Sequence, residues 1–267
     1  MARPTQWRPA NQKAARFGSG QKPRGRPVQI LSVRATAGEE RDVRVLLIAP
    51  PGAGKGTQGA MIAAHFDIPH IATGELLRDH VAHETDLGRA VKEYLDRGEL
   101  VPDEIVLDMV RDAFIAAKDL GYVLDGVPRT MKQARALYEI AVELDMTANV
   151  ALHLKADDDE LIRRLLARAA LEGRSDDTEE VIRRRLALYQ EITHPIVDWY
   201  AERGILVSVD AMRPAPQVGH EILTALEVMR PIIDHVPAGA RRPIDLTDLA
   251  RAFGQPPSSG ASRSSAR

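Results

Sequence analysis

Apolar residues in this chain fall into short unbroken runs, and the longer stretches between them read as helices. The runs at 43–49 (VRVLLIA), 70–72 (HIA), 121–125 (GYVLD), 149–154 (NVALHL) and 205–209 (ILVSV) predict five strands. Most of them are continuously apolar rather than alternating, so both faces of their sheet should be covered by helices. That pattern marks a parallel sheet in an α/β fold. In such sheets ligands gather at the carboxyl ends of the strands. The loops after Ala49, Asp125, Leu154 and Val209 are therefore where chemistry is expected.

The two ends lack this pattern. From Met1 to Thr36 there is no acidic residue, while Arg3, Arg8, Lys13, Arg16, Lys22, Arg24, Arg26 and Arg34 are interleaved with Pro, Gly and Gln. Residues 1–40 are expected to be a disordered basic extension. A solvated leader, an organellar transit peptide and an arm making weak polyanion contacts are all compatible with it; scarcity of serine counts against the transit peptide. At the other end, "QPPSSGASRSSAR" is a low-complexity tail, preceded by a short helical pattern, "IDLTDLARAF", able to dock on the body. Residues 231–267 are expected to be mostly disordered, leaving 41–230 as the folded domain.

Composition narrows the chemistry. With 267 residues, 44% of them hydrophobic, the chain can bury one sizeable core with a small lobe attached. A net charge of −2 gives no global reason to bind nucleic acid or membrane. The absence of cysteine excludes disulfides, thiol nucleophiles and cysteine-ligated zinc, and fits a reducing cytoplasm. No apolar run approaches a membrane span, so a soluble cytoplasmic protein is expected. None of the eight histidines falls in a metal-binding or nucleophile-activating pattern.

The first strand runs into "APPGAGKGTQ", residues 49–58. This departs twice from the phosphate-loop pattern G-x-x-x-x-G-K-[ST], with Ala49 at the first glycine and Gly56 at the hydroxyl position. Gly52, Gly54 and Gly56 still let the backbone wrap an oxyanion with its N–H groups inward, the following helix presenting its positive end. Lys55 adds a mobile charge, and Thr57 offers its hydroxyl one place late. A tight strand-to-helix turn is the plainer alternative, but it needs neither three alternating glycines nor a lysine. Other strand ends add polar groups: Thr73 and Gly74 with Arg78 one turn on; Asp125 and Gly126 with Arg129 and Gln133 on one helix face. Arg164, Arg168, Arg174 and Arg185 surround a glycine-containing loop. Singly, such arginines are usually solvated or ion-paired; together, beside a phosphate loop, they indicate a polyanionic ligand.

At these residues the chain resembles the adenylate kinases of the nucleoside monophosphate kinase family. "PPGAGKGTQ", "ATGELLR", "GELVPDEIV", "DGVPRTMKQA", "GRSDDTEEVIRRRL" and "VDAMRP" follow in the family's order, between about Arg44 and Met229. The resemblance implies a P-loop three-layer fold, a helical monophosphate-binding lobe at about 72–101 and a short lid at about 168–177. It implies reversible phosphoryl transfer from Mg-ATP to AMP, giving two ADP, by a monomer. Gly52, Ala53, Gly54, Lys55, Gly56 and Thr57 would hold the ATP phosphates, with Arg164 and Arg168 at the lid's base and Arg213 by the adenine. Thr73, Arg78, Gly126, Val127, Pro128, Arg129 and Gln133 would hold AMP, with main chain at Glu99, Leu100 and Val101. Arg174 and Arg185 would brace phosphates from the lid side. Lys55, Arg129, Arg168, Arg174 and Arg185 would be the catalytic cations, and Asp125 would position Mg2+ through water.

The chain departs from the family at Ala49, at Glu75 where many members have Asp, and at Val127 where many have Phe. A kinase of UMP and CMP, or of another nucleoside monophosphate, is one alternative, though the pyrimidine type usually shows Ala-Gly where this chain has Thr73-Gly74, and an Asn after the arginine. A silenced nucleotide sensor is another, and the intact set of cations argues against it.

Overall fold

The computed structural model describes residues 43–118, 120–172, 178–235 and 244–246. Strand β1 (Arg44–Ile48) leads into α1 (Lys55–Phe66), and β2 (His70–Ala72) into α2 (Thr73–Ala82), α3 (Asp86–Asp96) and α4 (Asp103–Ala116). Then come β3 (Tyr122–Asp125), α5 (Met131–Glu143), β4 (Val150–Lys155), α6 (Asp158–Glu172) and α7 (Glu179–Leu188). A π-turn at Tyr189–Thr193 joins α7 to α8 (Pro195–Glu202), followed by β5 (Leu206–Asp210), α9 (Ala215–His235) and β6 (Ile244–Asp245).

All pairings are parallel and the order is β2-β3-β1-β4-β5-β6. Central β1 aligns Leu46 with Leu124 on one side and with Ala151 on the other. Its side chains alternate between two cores, which explains the unbroken apolar runs. Leu46 and Ile48 join Leu124, Val110 and Phe114 of α4, Leu137 of α5 and Ile196 of α8. Val45 and Leu47 join Leu152, Ile62 of α1, Leu165 of α6, Ile182 of α7 and Ile222 of α9. Among the described residues, no helix is long and apolar enough to cross a membrane.

The five expected strands are present, and a sixth corrects the count. Residues 244–253 carry a helical pattern, yet Ile244 and Asp245 pair with Val207 and Ser208 as a strand. An unpaired β5 edge offers main-chain hydrogen bonds that two extended residues can take. Leu246 follows with only 5% exposure, in the same core as Val207 and Val209. Helix α9 likewise continues past 230, to His235.

Candidate active site

The loop after β1 wraps as its glycines require. Gly52 and Gly54 have φ of 85° and 94°, a region that L side chains rarely adopt. At Gly52 space also forbids a side chain, since a Cβ would stand 2.9 Å from Leu165 Cγ and 3.0 Å from the Leu161 carbonyl. Helix α6 thus presses on the loop. Ala49 is not among the residues of positive φ, so its departure from glycine costs no backbone strain. Helix α1 starts at Lys55 with no side-chain cap and no acidic residue in its first turn, leaving its N–H groups directed at the cleft. Lys55 Nζ donates to the carbonyls of Ala49 (2.8 Å) and Pro50 (3.0 Å). Thr57 is exposed on the cleft wall.

Beside this loop, the end of β3 meets the start of α2. Thr73 Oγ1 donates to the Asp125 carbonyl at 3.1 Å. Gly126, at φ 90°, admits no side chain, since a Cβ would lie 2.5 Å from that hydroxyl. Arg129 is fixed at three points: Nε donates to the Gly126 carbonyl (2.7 Å), its N–H to Gln133 Oε1 (2.7 Å), and its carbonyl accepts from Thr193 Oγ1 (2.9 Å). Gln133, 2% exposed, also donates through Nε2 to Asp103 Oδ1 at 2.8 Å. One N–H and one lone pair of that amide remain for a ligand. The guanidinium groups of Arg78 and Arg129 converge on Gly74, 3.6 Å and 3.8 Å from the position of a Cβ there.

These groups share a cleft of about 930 Å³ at the strand ends, adjoined by a recess of about 50 Å³. The cleft is lined by Lys55, Asp125, Arg129, Arg164, Arg168 and Arg185. Thr73, Glu99, Leu100, Val101 and Gln133 line the recess, into which Arg78, Gly126, Arg129 and Arg185 also face. The Arg185 stem packs on Gly98, tying α7 to the α3 end. Arg174 lies outside the described residues.

Crowding of cations shows in their acidities. Burial pushes the Lys55 ammonium down to about 8; the Asp125 carboxylate opposes this, while Arg129, Arg185 and Arg168 add to it. Burial also pushes Arg129 down to about 10, with Arg185 and Arg78 adding and Asp125 opposing. A polyanion placed among these groups would relieve both.

Three expected residues stand differently. The Val127 side chain lines neither cavity; it is 1% exposed in the core with Leu124. Arg164 reaches the cleft but is spent on protein partners: Glu160 Oε1 (2.7 Å) and the carbonyls of Ala211 (2.9 Å) and Met212 (3.3 Å). Arg213 pairs with Glu221 beside the Asp210 carbonyl. Both therefore brace the β5–α9 loop. Glu160 was missed, although its spacing of three and four to Arg163 and Arg164 signals it; the two arginines hold its carboxyl down to about 2. Thr193 was missed because its position comes from the π-turn, which leaves no mark in the sequence. Among the histidines, His153 bonds the Tyr189 hydroxyl (3.1 Å) and burial pushes it down to about 4. Among the described residues, no group of three or more His, Cys, Asp or Glu side chains is placed to hold a metal ion.

Comparisons with known proteins agree with this geometry. The adenylate kinase family model matches residues 47–205. A protein named adenylate kinase from Thermobifida fusca is 46% identical over 187 residues, covering 69% of this chain and 98% of its own. Another from Kocuria rhizophila is 46% identical over 186 residues (69% and 98%), and one from Thermus thermophilus 41% over 184 (69% and 97%). With the phosphate loop, the cation-lined cleft and these relatives together, the chain belongs to the adenylate kinase family and is a nucleoside monophosphate kinase.

Proposed function

We propose that this enzyme moves the terminal phosphoryl group of ATP to AMP, reversibly, within the one cleft. The observation that carries the assignment is the convergence of Lys55, Arg78, Arg129, Arg168 and Arg185 on the open N-terminus of α1. Phosphoryl transfer needs little covalent help from a protein; it needs two oxygens held in line and charge on the equatorial oxygens stabilised. Fixed cations in a site that excludes water do this well.

The loop 52–57 takes the ATP phosphates, with Lys55 exchanging its carbonyl partners for phosphate oxygens. The Arg129 guanidinium is held by its Nε bond to the Gly126 carbonyl, and its backbone by Gln133 and Thr193. It marks a fixed point between the two nucleotides. Arg78 and Arg129 take the AMP phosphate over Gly74, and Gln133 offers its remaining amide valences to the base. Arg168 and Arg185 reach in from the lid helices, and Arg174 is assigned to the same work.

Asp125 fits a Mg2+ role. Its carboxylate lies at the cleft floor beside Lys55 without a cage of further acids, as suits an ion that retains water and leans on substrate phosphates. Mg2+ bound with ATP supplies charge neutralisation across the phosphates. As part of the same proposal, the enzyme acts as a monomer on ATP, AMP and ADP in the cytoplasm.

A coupled assay with AMP, CMP, UMP and GMP as acceptors tests the assignment. AMP should give the highest kcat/KM; equal or better rates with CMP would move the enzyme to the pyrimidine type.

A further inference from the structure

The C-terminal strand β6 lies outside the stretch that carries the kinase motifs, yet it is bonded to β5 and β4, at whose ends the loop 211–213 of the cleft begins. Asp245 Oδ2 accepts from Lys155 Nζ at 2.6 Å, a contact that reaches across β5 from the end of β4. The Lys155 carbonyl in turn accepts from the Ala211 N–H at 2.8 Å. Ala211 begins the loop whose carbonyls at 211 and 212 are held by Arg164 from the other side. The loop is thus gripped from both sides: at its first N–H by Lys155, and at its carbonyls by Arg164. Leu246, buried behind β5, anchors the strand that supplies Asp245.

We propose that Asp245 is a positioning residue for the phosphoryl donor, acting through Lys155 on the loop 211–213. The inference rests on the assignment of that loop to the adenine of ATP. Nothing in the AMP recess touches this chain of contacts, whose members are Asp245, Lys155, Ala211 and Arg164. Affinity for the donor should therefore depend on the C-terminal strand, and affinity for the acceptor should not.

The test uses the full chain with Asp245→Ala, Lys155→Ala and the charge exchange Lys155→Asp with Asp245→Lys. Side chains of Lys155 and Asp245 are 42% and 31% exposed, so each single change should leave the fold intact. Each should raise KM for ATP about two- to fivefold, the range a partly exposed ion pair can supply. KM for AMP and kcat should stay unchanged, and the exchange should recover most of the loss. Unchanged KM for both nucleotides, a rise in both together, or no recovery on exchange would overturn the proposal. A lower Tm with unchanged KM values would make the strand a staple only, and would overturn it too. Arg213→Ala, within the loop itself, separates the two levels. If it leaves KM for ATP unchanged, the loop's assignment falls and the proposal with it. If it raises KM for ATP while Asp245→Ala does not, only the proposal falls.

Discussion

Thr193 Oγ1 donates to the main-chain carbonyl of Arg129 at 2.9 Å, so the π-turn after α7 is bonded to the backbone of a cleft-lining arginine. Wide turns of this kind occur often at functional sites. Here the turn aims a hydroxyl that a regular helix would point elsewhere. Thr193→Val keeps the shape and removes the bond, so kcat/KM should fall about fivefold, the scale of one net hydrogen bond at ~1 kcal/mol. Thr193→Ser should retain most activity. Equal behaviour of the two variants in steady-state kinetics would contradict a positioning role for the hydroxyl.

Lys55 carries a pH dependence whose sign can be worked out. Its folded-state value of about 8 lies below the ordinary 10.5, so between these limits the unfolded chain binds the proton and the folded one does not. Unliganded stability attributable to this group therefore rises with pH through that window. Phosphate binding is lost over the same window. The profile of kcat/KM for ATP should bend downward above pH about 8, reporting the free enzyme. The kcat profile should bend at higher pH, because bound phosphates favour the ammonium. Lys55→Met should abolish the stability rise and lower kcat by on the order of a hundredfold, as for a lost transition-state donor.

Gly126 should tolerate no side chain. In Gly126→Ala a Cβ 2.5 Å from Thr73 Oγ1 must push that hydroxyl off the Asp125 carbonyl, at a residue whose φ of 90° is itself strained for alanine. Chemical denaturation should show a loss of about 1–3 kcal/mol. KM for AMP should rise more than KM for ATP, since the damage is on the acceptor side.

Ala49, by contrast, should gain nothing from conversion to the glycine that the phosphate-loop pattern asks for. Its backbone is already in an ordinary conformation and its methyl group is buried at 7% exposure. Ala49→Gly should leave kcat unchanged and lower stability by about 0.5–1 kcal/mol through the freer unfolded chain.

The sequence makes legible whatever is set by local pattern. Five strands are visible because burial on both faces demands unbroken apolar runs, as in Val45–Ile48, whose side chains feed both cores. Lys55, Asp125 and Arg129 are visible because they sit at or just beyond the ends of those strands, and Arg78 because it lies one turn into the helix that follows β2. What escapes depends on partners distant in the chain. Ile244 and Asp245 read as helix because only the open edge of β5 draws them into a strand. Arg164 and Arg213 read as ATP contacts, the one at the lid's base and the other by the adenine, because their engagement with Glu160, Glu221 and the loop carbonyls is tertiary. Val127 reads as a wall of the recess because nothing local says that its side chain turns into the core.

Two nucleotides share one field of cations here, with Arg129 fixed between them. Calorimetric titration of the full chain with a linked ligand, two adenosines joined through a polyphosphate long enough to span both positions, tests it most directly against ATP alone. The shared field predicts that the linked ligand binds at least a hundredfold more tightly, since one molecule engages Lys55, Arg78, Arg129, Arg168 and Arg185 at once. It also predicts that Arg129→Lys, which keeps the charge but loses the fork held over Gly126, removes most of that advantage. A linked ligand that binds no better than ATP would contradict the claim, leaving these arginines as scaffold around a single nucleotide site.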